Sequence, residues 1–213
     1  MLFALSSLLL PATGRAHNGN PNFRSDIRKL VPAVAGVKVQ VLNYDDRLLL
    51  TNASGRQVLV EGYEKEPYLR FDPGGLVQVN KRSPSYYLNQ DRFGKSEVPP
   101  GAGKDAAPLW QTVSQSGRYE WHDHRIHWMS KELPPQVKDK DKPANILNWV
   151  VPMKIGNQDA RLAGSLSWEP TSSSAPTAAF IALGGVAVAS GALILASRRV
   201  RRRRATSQRS QAW

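Results

Sequence analysis

The chain is 213 residues long, enough for one domain of ordinary size with appendages or for two small domains. Hydrophobic residues make up 41% and charged residues 22%, which permits a packed core and argues against wholesale disorder. There is no cysteine, which excludes a disulfide scaffold, a thiolate metal site and a cysteine nucleophile. The net charge of +12 would suit a nucleic-acid binder, but eight of the 29 basic residues lie in segments 1–16 and 177–213. All 17 acidic residues lie between those segments, so the central part carries +4 and nucleic acid is not an expected partner.

Residues 1–16 read as a short export signal. Leu2-Phe3-Ala4-Leu5 and Leu8-Leu9-Leu10 form its apolar stretch, and Gly14-Arg15-Ala16 puts small residues where a signal peptidase reads. Leu10-Pro11-Ala12-Thr13-Gly14 matches a cell-wall sorting pattern but stands at the wrong end of the chain for it. Residues 17–35 are expected to be irregular, with a weak helical pattern from Arg24 to Leu30.

From residue 36 the apolar residues recur at short range. Val37, Val39 and Val41 alternate with Lys38 and Gln40, the pattern of a half-buried strand. Leu48-Leu49-Leu50 and Val58-Leu59-Val60 flank Asn52-Ala53-Ser54-Gly55, which reads as a hairpin turn. Asn52-Ala53-Ser54 also fits the glycosylation acceptor pattern, a short match of low specificity. Tyr68-Leu69-Arg70-Phe71, Leu76-Val77-Gln78-Val79, Tyr119-Glu120-Trp121, Leu147-Asn148-Trp149-Val150-Val151 and Leu162 through Trp168 continue the series. Short strands separated by turn signals predict an all-β, Ig-like β-sandwich over residues 36–168. Two long polar stretches, 90–108 and 133–144, interrupt the strands; loops of that length are functional or mobile.

Residues 169–176 are a Ser/Thr/Pro-rich stalk. Residues 177–196 form an uncharged run of the length that spans a bilayer, so a single C-terminal transmembrane helix is placed at 177–197. The arginine-rich tail, 198–213, is expected on the cytoplasmic side and the domain outside.

The chemical anomaly is the histidine distribution. Three of the four histidines fall within Trp121-His122-Asp123-His124-Arg125-Ile126-His127-Trp128-Met129. On an extended strand His122 and His124 share one face, a start to a Cu(II) or Zn(II) site, and a bulge or turn near Arg125 brings His127 to the same side. The fourth, His17, becomes the mature N-terminus if cleavage follows Ala16, and then offers an amine and an imidazole together. In the competing reading, Asp123 pairs with Arg125, Trp121, Trp128 and Met129 pack in the core, and the imidazoles are hydrogen-bonded at a strand edge. No phosphate-cradling glycine loop, zinc-protease motif or nucleophile elbow is present, so no complete catalytic set is identifiable and an enzyme is not expected.

Asn80-Lys81-Arg82-Ser83-Pro84, Tyr87-Leu88-Asn89-Gln90-Asp91-Arg92-Phe93 and the block from Gly117 to Met129 resemble a group of uncharacterised exported, membrane-anchored actinobacterial proteins. The resemblance covers most of residues 17–170; it implies a cell-surface location and supplies no activity. The closing strand, with Gly164 and Trp168, is loosely similar to small copper-binding sandwiches of the bacterial envelope, from which no ligands follow. The expected function is a non-enzymatic, membrane-anchored surface module that binds an extracellular partner or supports the envelope. The alternative is a copper- or zinc-handling protein using His122, His124 and His127.

Overall fold

The computed structural model describes residues 20–170. The export signal, His17, residues 171–176 of the stalk, the membrane span and the arginine-rich tail lie outside the described residues. Among the described residues no helix is long and apolar enough to cross a membrane.

Among the described residues ten strands form two antiparallel sheets: β1 (Phe23–Val31), β2 (Val37–Leu42), β3 (Arg47–Asn52), β4 (Val58–Glu61), β5 (Pro67–Phe71), β6 (Val77–Asn80), β7 (Trp110–Ser114), β8 (Arg118–His122), β9 (Ala144–Ile155) and β10 (Gln158–Trp168). A seven-stranded sheet runs β1-β10-β9-β4-β5-β6-β7, and a three-stranded sheet runs β2-β3-β8. The fold is thus all-β and sandwich-like. Its seven-plus-three division differs from the four-plus-three of a constant-type immunoglobulin domain. One short helix, α1 (Pro84–Leu88), follows β6.

The two sheets share one core. Leu48, Leu50 and Trp121 of the small sheet meet Val60, Leu69, Phe71, Val79, Val151, Met153, Leu162 and Leu166 of the large one. Phe71 and Trp121 touch across the gap, with ring centroids 6.5 Å apart. Along β10, Ala160, Leu162, Gly164, Leu166 and Trp168 all turn inward at period two. Gly164 is required there because its partner Trp149 fills the space: a Cβ on Gly164 would lie 2.1 Å from the indole and 2.4 Å from the Asp26 carbonyl. The indole, so placed, donates to Ser25 Oγ at 2.8 Å.

Two local expectations are corrected. Residues 23–31 are a strand, so segment 17–35 is not irregular throughout and residues 24–30 are not helical. A bulge at Arg28 shifts the register between Ile27 and Lys29, which gives Ile27 and Leu30 a helix-like spacing within a strand paired to β10. The turn expected between Leu50 and Val58 is a crossover between sheets, not a hairpin: β3 pairs with β2 and β8, while β4 pairs with β5 and β9. The Asn52 amide holds this crossover, donating to the Arg56 and Phe71 carbonyls and accepting from Ser54. Asn52 is buried, which removes it as a glycosylation acceptor in the folded domain.

Candidate metal centre

Strand β8 ends at His122 because Asp123 caps a single 3-10 turn, His124–Ile126. The buried Asp123 carboxylate accepts from the Arg125 backbone N–H at 3.1 Å, from the Arg125 guanidinium at 2.8 and 2.7 Å, and from Trp121 Nε1 at 2.9 Å. Burial would raise this carboxyl, but the Arg125 charge and the converging donors hold it below the usual carboxylate range. Fully buried Ile126 pins the turn to the core. The chain does not run on as a strand past His122; it makes the turn at Arg125 that the sequence offered for bringing His127 round. The turn folds His127 back, and one ligand nitrogen from each of His122, His124 and His127 lies within 4.8 Å of the others.

The pairing of Asp123 with Arg125, expected only on the packing interpretation, coexists with this cluster. The Arg125 charge is spent on Asp123, on the Glu61 carbonyl at 3.0 Å and on the Tyr63 ring face, so it does not oppose a cation at the histidines. Trp121 is a core residue and Trp128 is partly buried against the core, whereas Met129 is exposed.

Each imidazole is anchored through one nitrogen by a group that can only accept. His122 Nδ1 faces Asp46 Oδ1 at 3.0 Å, His124 Nε2 faces the Asp91 carbonyl at 2.8 Å, and His127 Nδ1 faces the Trp128 carbonyl at 3.0 Å. Those nitrogens therefore carry protons, which leaves His122 Nε2, His124 Nδ1 and His127 Nε2 as the atoms that can face a metal. His122 Nε2 and His127 Nε2 stand 3.0 Å apart. That is a hydrogen bond through one shared proton, in the place where a metal cation would bridge the same two atoms.

Burial lowers the basicity of His124 and pushes His127 down to about 3, so both rings are neutral at pH 7 and able to coordinate. Metal–nitrogen bonds of about 2.0–2.1 Å at tetrahedral angles put ligand nitrogens roughly 3.3 Å apart. The His122–His127 pair, 3.0 Å apart, is already near that spacing, whereas the cluster as a whole is within 4.8 Å, so it must contract to hold one ion.

The supporting residues come from loops far apart in sequence. Asp45 and Asp46 sit in the β2–β3 turn, where Asn43 and Tyr44 adopt positive φ of 51° and 68°. That turn directs both carboxylates inward, and Arg92 from the 90–108 loop clamps them, with contacts of 2.8 Å to Asp46 and 2.9 and 3.0 Å to Asp45. Burial pushes Asp45 up to about 6 against the pull of Arg92. Burial also opposes ionisation of Asp46, but the His122 hydrogen bond and the neighbouring charges outweigh it and hold that carboxyl low. Arg47 also stands 3.6 Å from Asp46, so the two carboxylates beside His122 are matched by two arginines. On the other side Tyr63 stacks on His124, with centroids 5.6 Å apart and planes 8° apart, and its hydroxyl accepts the His124 backbone N–H at 2.8 Å. The same hydroxyl donates to Asn89 Oδ1.

Sequence reasoning singled out the three clustered histidines and missed Asp45, Asp46, Tyr63, Asn89, Asp91 and Arg92. The one available signal was the length of the 90–108 loop, whose first residues deliver Asp91 and Arg92. An open groove of about 530 Å³ borders the cluster, lined by His124, His127, Trp128, Met129, Trp149 and Val150 among others. Comparison with protein-family models, curated proteins and solved structures finds no match.

Proposed function

We propose that this domain binds one Cu(II) or Zn(II) ion through His122, His124 and His127, and that the chain holds this site on the outer face of a membrane as an exported, single-span protein. The observation that carries the reading is the convergence of three imidazoles whose second nitrogens are each tied to an acceptor-only group. Such outer partners fix tautomer and ring orientation and raise ligand basicity in metal sites. The uncharged run at 177–196 and the arginines behind it support the membrane placement. His17 remains a further ligand on the reading that cleavage frees its amine.

Calorimetric titration of the purified chain beginning at His17, in detergent, with Cu(II) and Zn(II) at neutral pH tests the proposal. Near-stoichiometric binding is expected, abolished in the H122A/H124A variant. An extension before His17 weakens binding only if the terminal amine takes part. Equal weak heats from wild type and a folded variant overturn the metal reading. The domain is then a surface module, with the groove beside Trp128 and Trp149 as its contact surface.

A further inference from the structure

We infer that the Met129 thioether is a fourth ligand of this centre and makes it a copper site that retains Cu(I). The inference rests on the histidine triad binding metal. It starts from an anomaly of burial: of the three methionines in the chain, Met153 is core and Met1 lies outside the described residues, while Met129 leaves 41% of its surface in water. A flexible apolar side chain contributes little to the fold from that position.

Its surroundings give it another use. Met129 follows His127 by two residues, and His127 is extended (φ −132°, ψ 168°), the spacing that returns side chains to one side of the chain. Met129, His124 and His127 line the same groove. Gly94 ties them together: both side chains crowd it, and the point where a Cβ would stand is 3.1 Å from His124 Cε1, 3.4 Å from His124 Nδ1 and 3.6 Å from the Met129 methyl. The nitrogen near that point is the one carrying the free lone pair of His124. Gly94 has φ +67°, a conformation that favours glycine, so the backbone puts no side chain between His124 and Met129 at this point.

The chemistry of the donor set then selects the metal. Three neutral imidazoles serve Zn(II), Cu(II) and Cu(I) alike, whereas a thioether is a soft donor that favours Cu(I) and adds little for Zn(II). In a chain without cysteine, Met129 is the sole sulfur on the described surface near the cluster.

The test uses the full chain under anaerobic conditions, with Cu(I) supplied as its bicinchoninate complex and Zn(II) measured separately by chelator competition. Met129→Ala is expected to weaken Cu(I) binding by at least about tenfold while Zn(II) affinity stays within about twofold. Met129→Leu, which keeps the apolar volume, is expected to behave as Met129→Ala toward copper and as wild type in thermal unfolding. Copper-edge X-ray absorption is expected to show a sulfur neighbour that Met129→Leu removes. Unaltered Cu(I) affinity in Met129→Ala, equal losses for both metals, or a wild type that takes Zn(II) and Cu(II) but not Cu(I) each overturns this inference and leaves the histidine site standing. Unchanged binding of every metal in H122A/H124A overturns the histidine site itself.

Discussion

Replacing Asp46 by Asn tests whether the buried carboxylate is the device that orients His122. The two side chains have nearly the same shape, so the change removes charge without opening a cavity. Asp46 Oδ1 accepts from His122 Nδ1 at 3.0 Å and from Arg92 Nη1 at 2.8 Å, with its side chain only 6% exposed. A hydrogen bond to a charged group contributes about 1.5–3 kcal/mol and a neutral one about 0.5–1.5 kcal/mol. Two such bonds lose charge assistance, so D46N is expected to lower the stability of the metal-free chain by about 2–3 kcal/mol. Urea unfolding at pH 7, followed by tryptophan fluorescence, is expected to show a lower midpoint with an unchanged slope. Zn(II) affinity is expected to fall about 10- to 100-fold, as when an outer-sphere partner of a ligand is removed. The exposed Asp26, paired only with Arg24, supplies the control D26N. A stability loss below about 0.5 kcal/mol, or a D46N affinity equal to that of D26N, refutes the reasoning.

Gly164→Ala places a methyl 2.1 Å from the Trp149 ring and is expected to cost about 3 kcal/mol or more; W149L in the same chain is expected to return part of the loss in thermal unfolding. Glu66 is buried without a cation, and its carboxylate accepts from Ser83 Oγ at 2.5 Å, Ser85 Oγ at 2.7 Å and the Glu64 N–H at 2.9 Å. E66Q is expected to destabilise by about 2 kcal/mol, read by urea midpoint, since its amide turns a donor toward groups that donate. Acid is expected to weaken the metal-free fold through His127, whose native value near 3 lies below the ordinary 6.5, so the unfolded state binds more protons and stability falls between those pH values. Asp45, raised to about 6, opposes this loss between pH 6 and 4, and the depressed Asp46, Asp123 and Glu66 add to it below pH 4. The net loss is on the order of a few kcal/mol by pH 3.5, and urea midpoints equal at pH 3.5 and 7 refute it.

The sequence alone determined the all-β class, because short-range alternation such as Val37, Val39 and Val41 reports a half-buried pleat directly, although the strand at Trp110–Ser114 went unread. It also singled out the three clustered histidines, because rare side chains at short spacing stand out in composition. Pairing was decided only in three dimensions. Val58–Glu61 is a strand in either sheet by pattern, and its place beside β9 depends on where Met153 and Ile155 present a complementary edge. The strand at Phe23–Val31 escaped notice because the bulge at Arg28 erases alternation, and a bulge is stable only against its partner β10. The outer sphere of the candidate centre was equally invisible. Asp46, Asp91 and Tyr63 lie 76, 33 and 61 residues from the histidines they contact, and no local preference couples them. The fold decides that coupling by burying the β2–β3 turn and the 90–108 loop against the end of β8. There desolvation forces each polar atom to find a partner, and the imidazoles are the partners within reach.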